Sequence, residues 1–109
     1  MKPKIYIAGK IAGDPNYKRK FAEAEAFYQS KGYLVLNPAV LPEGMLVEDY
    51  MRICFAMIDS ASAVSFLPDY KNSAGACLEH SYCCYTDKNI HHYEDDAGVW
   101  RSQWGDLDE

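Results

Sequence analysis

Residues 63–79, AVSFLPDYKNSAGACLE, hold the end of one secondary-structure element and the start of the next. The apolar run 63–67 predicts a buried strand, which Pro68 ends. Ser73 is a natural N-cap, so a helix should begin behind it and run to about Thr86. A buried strand that leads through a polar loop into a capped helix is typical of parallel α/β proteins.

The same alternation extends along most of the chain. Further strands are predicted at 4–8, 33–36 and 88–91, and further helices at 17–31 and 47–59. The order β-α-β-α-β-α-β predicts a small Rossmann-like (flavodoxin-like) α/β fold, a three-layer sandwich with a parallel sheet of about four strands. So small a sheet favours a homo-oligomer, in which a second copy covers an exposed face.

Composition narrows the class of protein. The chain has 109 residues with 49% hydrophobic and 25% charged, which suits one globular domain. The net charge of −5 falls within residues 91–109, and residues 1–90 are neutral. Without a basic face, a nucleic-acid polymer is not an expected partner. No apolar run is long enough to span a membrane and no signal-peptide cleavage site follows Met1, so we expect a cytoplasmic protein.

These patterns divide the chain into a domain at 1–92 and an acidic, tryptophan-containing tail at 93–109. Trp100, Trp104 and Leu107 share one helical face, so residues 98–107 are predicted to form a short helix or turn that packs on the body or on a neighbouring subunit. A disordered end is the alternative. The four cysteines include no Cys-x-x-Cys pair and are expected to be small buried hydrophobes in a reducing compartment. Neither a metal ion nor a cofactor is expected.

Ligands of parallel sheets bind at the carboxyl ends of the strands, where three segments of this chain converge. The first follows the first strand, and its Gly9, Lys10 and Gly13 would let backbone amides and an ammonium group approach an anion. A plain strand-to-helix turn explains that loop equally well. The second segment contributes Asn37, and the third leads to Ser73.

The third segment carries the pattern Ser73-x-Gly75-x-x-x-Glu79. Glycine is a poor choice in a first helical turn unless a ligand comes close to the backbone at Gly75. A glutamate among apolar neighbours is a candidate buried nucleophile or acid–base group. The alternative is a surface glutamate beside His80.

Two motifs, Tyr6-x-x-Gly9-Lys10-Ile-Ala-Gly13 and the serine–glutamate pattern, resemble the nucleoside 2-deoxyribosyltransferase-like superfamily over residues 4–90. The chain is most similar to a short branch of domains of unknown function in phages and bacteria. Its site pattern resembles that of the 2′-deoxynucleoside 5′-phosphate N-hydrolases, which also place serine rather than aspartate at the position of Ser73.

The resemblance implies a role for each matching position. Glu79 matches the nucleophile that attacks the anomeric carbon, and Tyr6 the tyrosine that hydrogen-bonds it. Ser73 matches a serine that binds the 5′-phosphate, and Lys10 replaces a serine of the phosphate loop. The family's second-helix aspartate aligns near Cys54, which leaves Asp49, one turn away, as the tentative second carboxylate; the phosphate-loop arginine aligns at Ala12.

The sequence therefore predicts an enzyme whose partner is a small-molecule nucleotide or nucleoside. It would cleave or transfer the N-glycosidic bond of a (deoxy)nucleoside 5′-monophosphate through a glutamate nucleophile. Two alternatives remain open at this point. One is a catalytically inactive nucleotide-binding or sensor module of the same fold, and the other is an interaction protein that acts through its acidic tail.

Overall fold

The computed structural model describes residues 1–98. Most of the segment 98–107, for which a helix or turn is predicted, therefore lies outside the described residues. The acidic segment assigned to the tail begins with a short helix that packs on the body. Its Tyr93 is buried, and its Asp96 Oδ2 accepts a hydrogen bond from the Tyr28 hydroxyl at 2.8 Å.

Strands and helices alternate as predicted, and the α/β class is confirmed. The elements in chain order are β1 (Lys4–Ala8), α1 (Tyr17–Ser30), β2 (Leu34–Leu36), α2 (Val47–Ser60), β3 (Ala63–Phe66), α3 (Ala74–Tyr85), β4 (Asn89–His92) and α4 (Tyr93–Ala97). Short 3-10 turns at Pro38–Val40 and Tyr70–Asn72 precede α2 and α3.

All strand pairs are parallel, and the order across the sheet is β2-β1-β3-β4. The chain first moves outward from β1 to β2 and then crosses back to place β3 on the other side of β1. The direction of winding therefore reverses between β1 and β3. In open parallel sheets a crevice forms at such a reversal, outside the carboxyl ends of the two strands.

The residues of β1 alternate between two cores because successive side chains of a strand point to opposite faces. Ile5 and Ile7 belong to the core packed by α1 and α4. Tyr6 and Ala8 belong to the core on the other face, which α2 and α3 supply. This alternation directs the Tyr6 hydroxyl towards α3.

Gly9 marks a close approach between the end of β1 and the segment after β3. A Cβ atom at this position would lie 2.8 Å from Leu67 Cδ1 and 3.0 Å from Leu67 Cβ, and Leu67 is fully buried. Any larger residue would push the two strand ends apart. Gly75 differs, since a Cβ atom there would meet Met51 Sδ at an ordinary 3.6 Å.

Gly9→Ala should therefore lower the free energy of unfolding by about 1–3 kcal/mol, the usual cost of overpacking a core. Gly75→Ala is the matched control, because it adds the same methyl group inside a helix that has room for it. The control should be neutral or up to about 1 kcal/mol more stable. Urea unfolding followed by circular dichroism measures both, and equal stability of the two variants would contradict the close approach.

Candidate functional site

A cleft of about 750 Å³ opens at the carboxyl ends of β1 and β3. Such a volume is within the usual range for small-molecule binding sites. Its walls are the loop after β1, the first turns of α3, and the segment that runs from the 3-10 turn at Pro38–Val40 into α2. The predicted residues that line it are Tyr6, Gly9, Lys10, Gly13, Ser73, Gly75 and Glu79.

The floor of the cleft holds a hydrogen bond between two distant parts of the chain. The Tyr6 hydroxyl on β1 donates to Glu79 Oε2 on α3 at 2.8 Å, and Glu79 is only 5% exposed. The glutamate is therefore buried, not on the surface, and it lies beside Tyr6, the partner that the family resemblance implies. Glu79 also lines the cleft.

Burial controls the ionisation of this pair. Loss of hydration raises the pKa of Glu79 to about 7, against a lowering contribution from the Tyr6 hydrogen bond. Burial, and then the nearby Glu79 charge, raises the pKa of Tyr6 well above its usual value. At neutral pH the tyrosine is thus a fixed donor, and the carboxyl group exists in both protonation states.

Cys54 on α2 completes the floor, and the resemblance to the deoxyribosyltransferase-like superfamily places that superfamily's aspartate near this residue. Its fully buried thiol interacts with Tyr6, Tyr50 and Glu79, and burial raises its pKa to about 11. The thiol is therefore neutral at physiological pH. It adds no second negative charge beside the glutamate.

Tyr50 is a cleft residue that the sequence analysis missed. It lies one helical turn before Cys54, so both side chains face the same way, and that spacing is the signal that could have found it. Its hydroxyl is enclosed next to the thiol, and no oxygen or nitrogen of residues 1–98 bonds to it. Burial raises the pKa of Tyr50 above its usual value, so the phenol remains a donor.

The other end of the cleft brings Lys10 and the N-terminus of α3 together. Ser73 is the N-cap of α3, and its Oγ accepts from the Ala76 amide at 3.1 Å. Amides of a first helical turn have no partner inside the helix, and here Ala74 and Gly75 line the cleft. Lys10 crosses from the opposite loop, and its Nζ donates to the Asn72 carbonyl oxygen at 3.1 Å. An ammonium group and a helix N-terminus therefore lie close together.

A buried ion-pair cluster behind this end also escaped the sequence analysis. Lys20 of α1 pairs with Asp69, which follows β3, and with Asp14 of the first loop. Burial alone would raise the pKa of Asp14, but its hydrogen bonds with Lys20 and Asn16 lower it. The available signal was positional: Lys20 stands one turn before Ala24, on the apolar stripe of the predicted helix.

Two predicted site residues do not reach the cleft. Both polar groups of the Asn37 side chain have partners elsewhere: its Oδ1 accepts from the Ala39 amide at 2.9 Å, and its Nδ2 donates to Glu25 at 2.8 Å. Asp49 is exposed and pairs with Arg52 at 2.7 Å. Five residues separate it from Cys54, a rotation of about 140° around the helix, so it cannot replace the missing aspartate.

Two further sequence expectations concern membranes and metals. None of the helices within residues 1–98 combines the length and apolarity needed to cross a bilayer. The same residues contain no group of three or more potential ligands that could hold a metal ion. All four cysteines are unbridged; Cys54 and Cys83 are buried, whereas Cys84 is exposed.

Comparison with known proteins gives matches of two different kinds. The model of a family described as "Domain of unknown function (DUF4406)" matches residues 3–92. A solved structure, "2-desoxiribosyltransferase from Leishmania mexicana", superposes with a TM-score of 0.67 at 19% identity over 83% of this chain. The chain spans 63% of the length of that structure, and at this identity the likeness shows the fold alone. No curated protein matches the chain.

The buried carboxyl group predicts how stability depends on pH. The folded chain keeps a proton on Glu79 up to about pH 7, whereas an unfolded chain releases it near 4.5, so stability falls as pH rises through this window. Glu79→Gln cannot ionise. Its free energy of unfolding, relative to the original chain, should therefore rise by roughly 2–3 kcal/mol between pH 5 and pH 8. Urea titrations at both values test this, with the exposed Glu23→Gln as control; equal shifts in both variants would contradict it.

Proposed function

The chain belongs to the DUF4406 family, and we propose that it binds a nucleoside 5′-monophosphate and cleaves or transfers its N-glycosidic bond. The observation that carries this proposal is the buried glutamate on the cleft floor, held by a tyrosine hydroxyl at 2.8 Å. A buried carboxyl group that lines a cleft, with a pKa near neutrality, is a typical catalytic arrangement. Its fold is also that of a structure entitled a deoxyribosyltransferase.

The proposed chemistry uses Glu79 in its ionised form. The bond between the anomeric carbon and the base nitrogen breaks through an oxocarbenium-like state, which a carboxylate beneath the ring stabilises. The carboxylate then bonds to the anomeric carbon, while the base leaves with the electron pair of the broken bond and takes up a proton from solvent water. In hydrolysis a water oxygen, and in transfer a nitrogen of a second base, bonds to the anomeric carbon. The bond between the sugar and Glu79 breaks, the carboxylate is restored, and the attacking group loses a proton to solvent.

Tyr6 supports this role through position and charge. Its hydroxyl holds one carboxylate oxygen, which fixes the orientation of the other towards the cleft. Because the hydrogen bond favours the ionised glutamate, it opposes the effect of burial. We propose Tyr6 as the residue that keeps part of the Glu79 population ionised at neutral pH.

The opposite end of the cleft supports a phosphate-bearing substrate. Lys10, the Ser73 hydroxyl and the first amides of α3 converge there. Helix N-termini and ammonium groups favour phosphate oxygens. A phosphate anchored at this end would hold the sugar over Glu79 and lower the entropic barrier to reaction.

A second candidate is a nucleotide-binding module without catalytic activity. Cys54 favours this candidate. Its thiol, neutral with a pKa of about 11, lies near the position of the aspartate that the deoxyribosyltransferase-like resemblance implies at the cleft floor. Release of free base from a panel of deoxynucleoside monophosphates separates the two functions. Binding without release identifies the module. A homo-oligomer stays a prediction that light scattering can test.

Glu79→Ala should reduce base release to background without weakening nucleotide binding, because the variant lacks the nucleophile but keeps the anion-binding end. Base release is measured by chromatography and binding by calorimetry. Asp49→Ala is the control, since that carboxylate lies outside the cleft. Undiminished release in Glu79→Ala would remove Glu79 from the mechanism.

Monophosphates should bind about ten- to a hundredfold more tightly than the corresponding nucleosides, since a charge-assisted hydrogen bond contributes roughly 1.5–3 kcal/mol. Calorimetry with a nucleoside and its 5′-monophosphate measures the ratio. Lys10→Met should reduce the ratio, whereas Lys31→Met, at the far end of α1, should not. Equal affinities for both ligands would show that this end of the cleft is not a phosphate site.

A further inference from the structure

The ion-pair cluster of Lys20, Asp69 and Asp14 is more deeply buried than is usual for charged groups. The side chains of Lys20 and Asp69 are 6% and 2% exposed. Replacing a buried ion pair by apolar residues is often neutral or stabilising, so stability alone is a weak reason for this cluster. Its contacts point to another role.

Both carboxylates bind backbone amides of the loop after β1. Asp69 Oδ1 accepts from the Lys10 amide at 3.2 Å, and Asp14 Oδ1 accepts from the Asn16 amide at 2.8 Å. Lys20 joins these two carboxylates through its ammonium group. The cluster therefore attaches the beginning and the end of this loop to the segment that follows β3.

The attachment determines where the Lys10 side chain goes. With its amide tied to Asp69, Lys10 extends across the cleft to the carbonyl of Asn72, the residue before the α3 N-cap. An ammonium group has three N–H donors, and this contact uses one of them. This contact places the ammonium group beside the residue that precedes the α3 N-cap.

We propose that Asp69 and Lys20 are positioning residues for the anion-binding end of the cleft. They touch no substrate themselves. They hold the backbone of Lys10, and through it the ammonium group, at the spacing from the α3 N-terminus that a phosphate group requires. This inference rests on the proposed function, because it assumes that the anion is the phosphate of the substrate.

The direction in which one substitution changes anion affinity distinguishes a positioning role from a long-range effect of charge. Asp69 is itself negative, so removing its charge near a phosphate site would tighten anion binding if only long-range charge mattered. If Asp69 positions Lys10, the same substitution loosens the loop and weakens anion binding. The two explanations predict opposite results.

The experiment is calorimetry on the full chain with the deoxynucleoside 5′-monophosphate that it binds best and with the matching nucleoside. In Asp69→Ala the affinity ratio of monophosphate to nucleoside should fall about tenfold, as expected for one misplaced charge-assisted contact. Asp59→Ala is the control, since it changes the net charge equally but lies at the end of α2, outside the cleft. An unchanged or increased ratio in Asp69→Ala overturns the inference.

A second variant avoids an unpaired buried charge, which could prevent the protein from folding. Lys20→Met combined with Asp69→Leu leaves the net charge unchanged and replaces the ion pair by apolar side chains. Its ratio should fall as well, while its affinity for the nucleoside stays near that of the original chain. A purely structural role would weaken both ligands equally, and that result also overturns the inference.

The outcome for the original chain keeps the two proposals apart. If it binds the monophosphate no better than the nucleoside, the proposed phosphate site fails and the positioning role falls with it. If it prefers the monophosphate but both variants keep that preference, the positioning role alone is overturned.

Discussion

At the carboxyl edge of the sheet, the amide of Leu67 donates to the carbonyl of Ala8 at 2.8 Å and continues the β1–β3 pairing beyond the last residue of β3. Only a glycine at position 9 allows this contact, because any Cβ there meets the Leu67 side chain. The loop after β1 and the loop after β3, which both line the cleft, start at this contact. The spacing between their side chains, and thus the width of the cleft, depends on it.

The two ends of the cleft have different electrostatic environments. At the floor, a carboxyl group is removed from water and one phenol hydroxyl opposes the loss of its ionised form. At the opposite end, the Lys10 ammonium group lies beside the N-terminus of α3. Burial of Glu79 lowers stability at neutral pH, a cost that proteins accept at functional sites when a perturbed pKa serves the chemistry.

The sequence predicted the parts of the fold that follow from local periodicity. The strand at 4–8 agrees with the structure residue for residue, and Ser73 caps its helix as its position before Ala74 indicates. Glu79 comes six residues after the cap, which places it in the second turn of α3, directed at the alternating strand that carries Tyr6. Local pattern and spacing were sufficient for the strand, the cap and the position of Glu79 in its helix, whereas the contact with Tyr6, 73 residues away, came from the family resemblance.

Long-range contacts were beyond the same reasoning. Lysine is usually a surface residue. Two carboxylates, one distant in sequence and one in a loop, stabilise the ammonium group of Lys20 in its buried position. Asn37 and Asp49 have suitable side chains, but Asn37 caps a 3-10 turn and Asp49 forms a surface ion pair.

Because the Cys54 thiol is neutral, the charge at the cleft floor depends on Glu79. A phosphomonoester becomes a dianion above about pH 6, and the cleft floor gains its negative charge from Glu79 near pH 7. Under the proposed function, capture of the phosphate dianion is therefore fastest where Glu79 is mostly protonated, so encounter and bond cleavage favour opposite sides of pH 7.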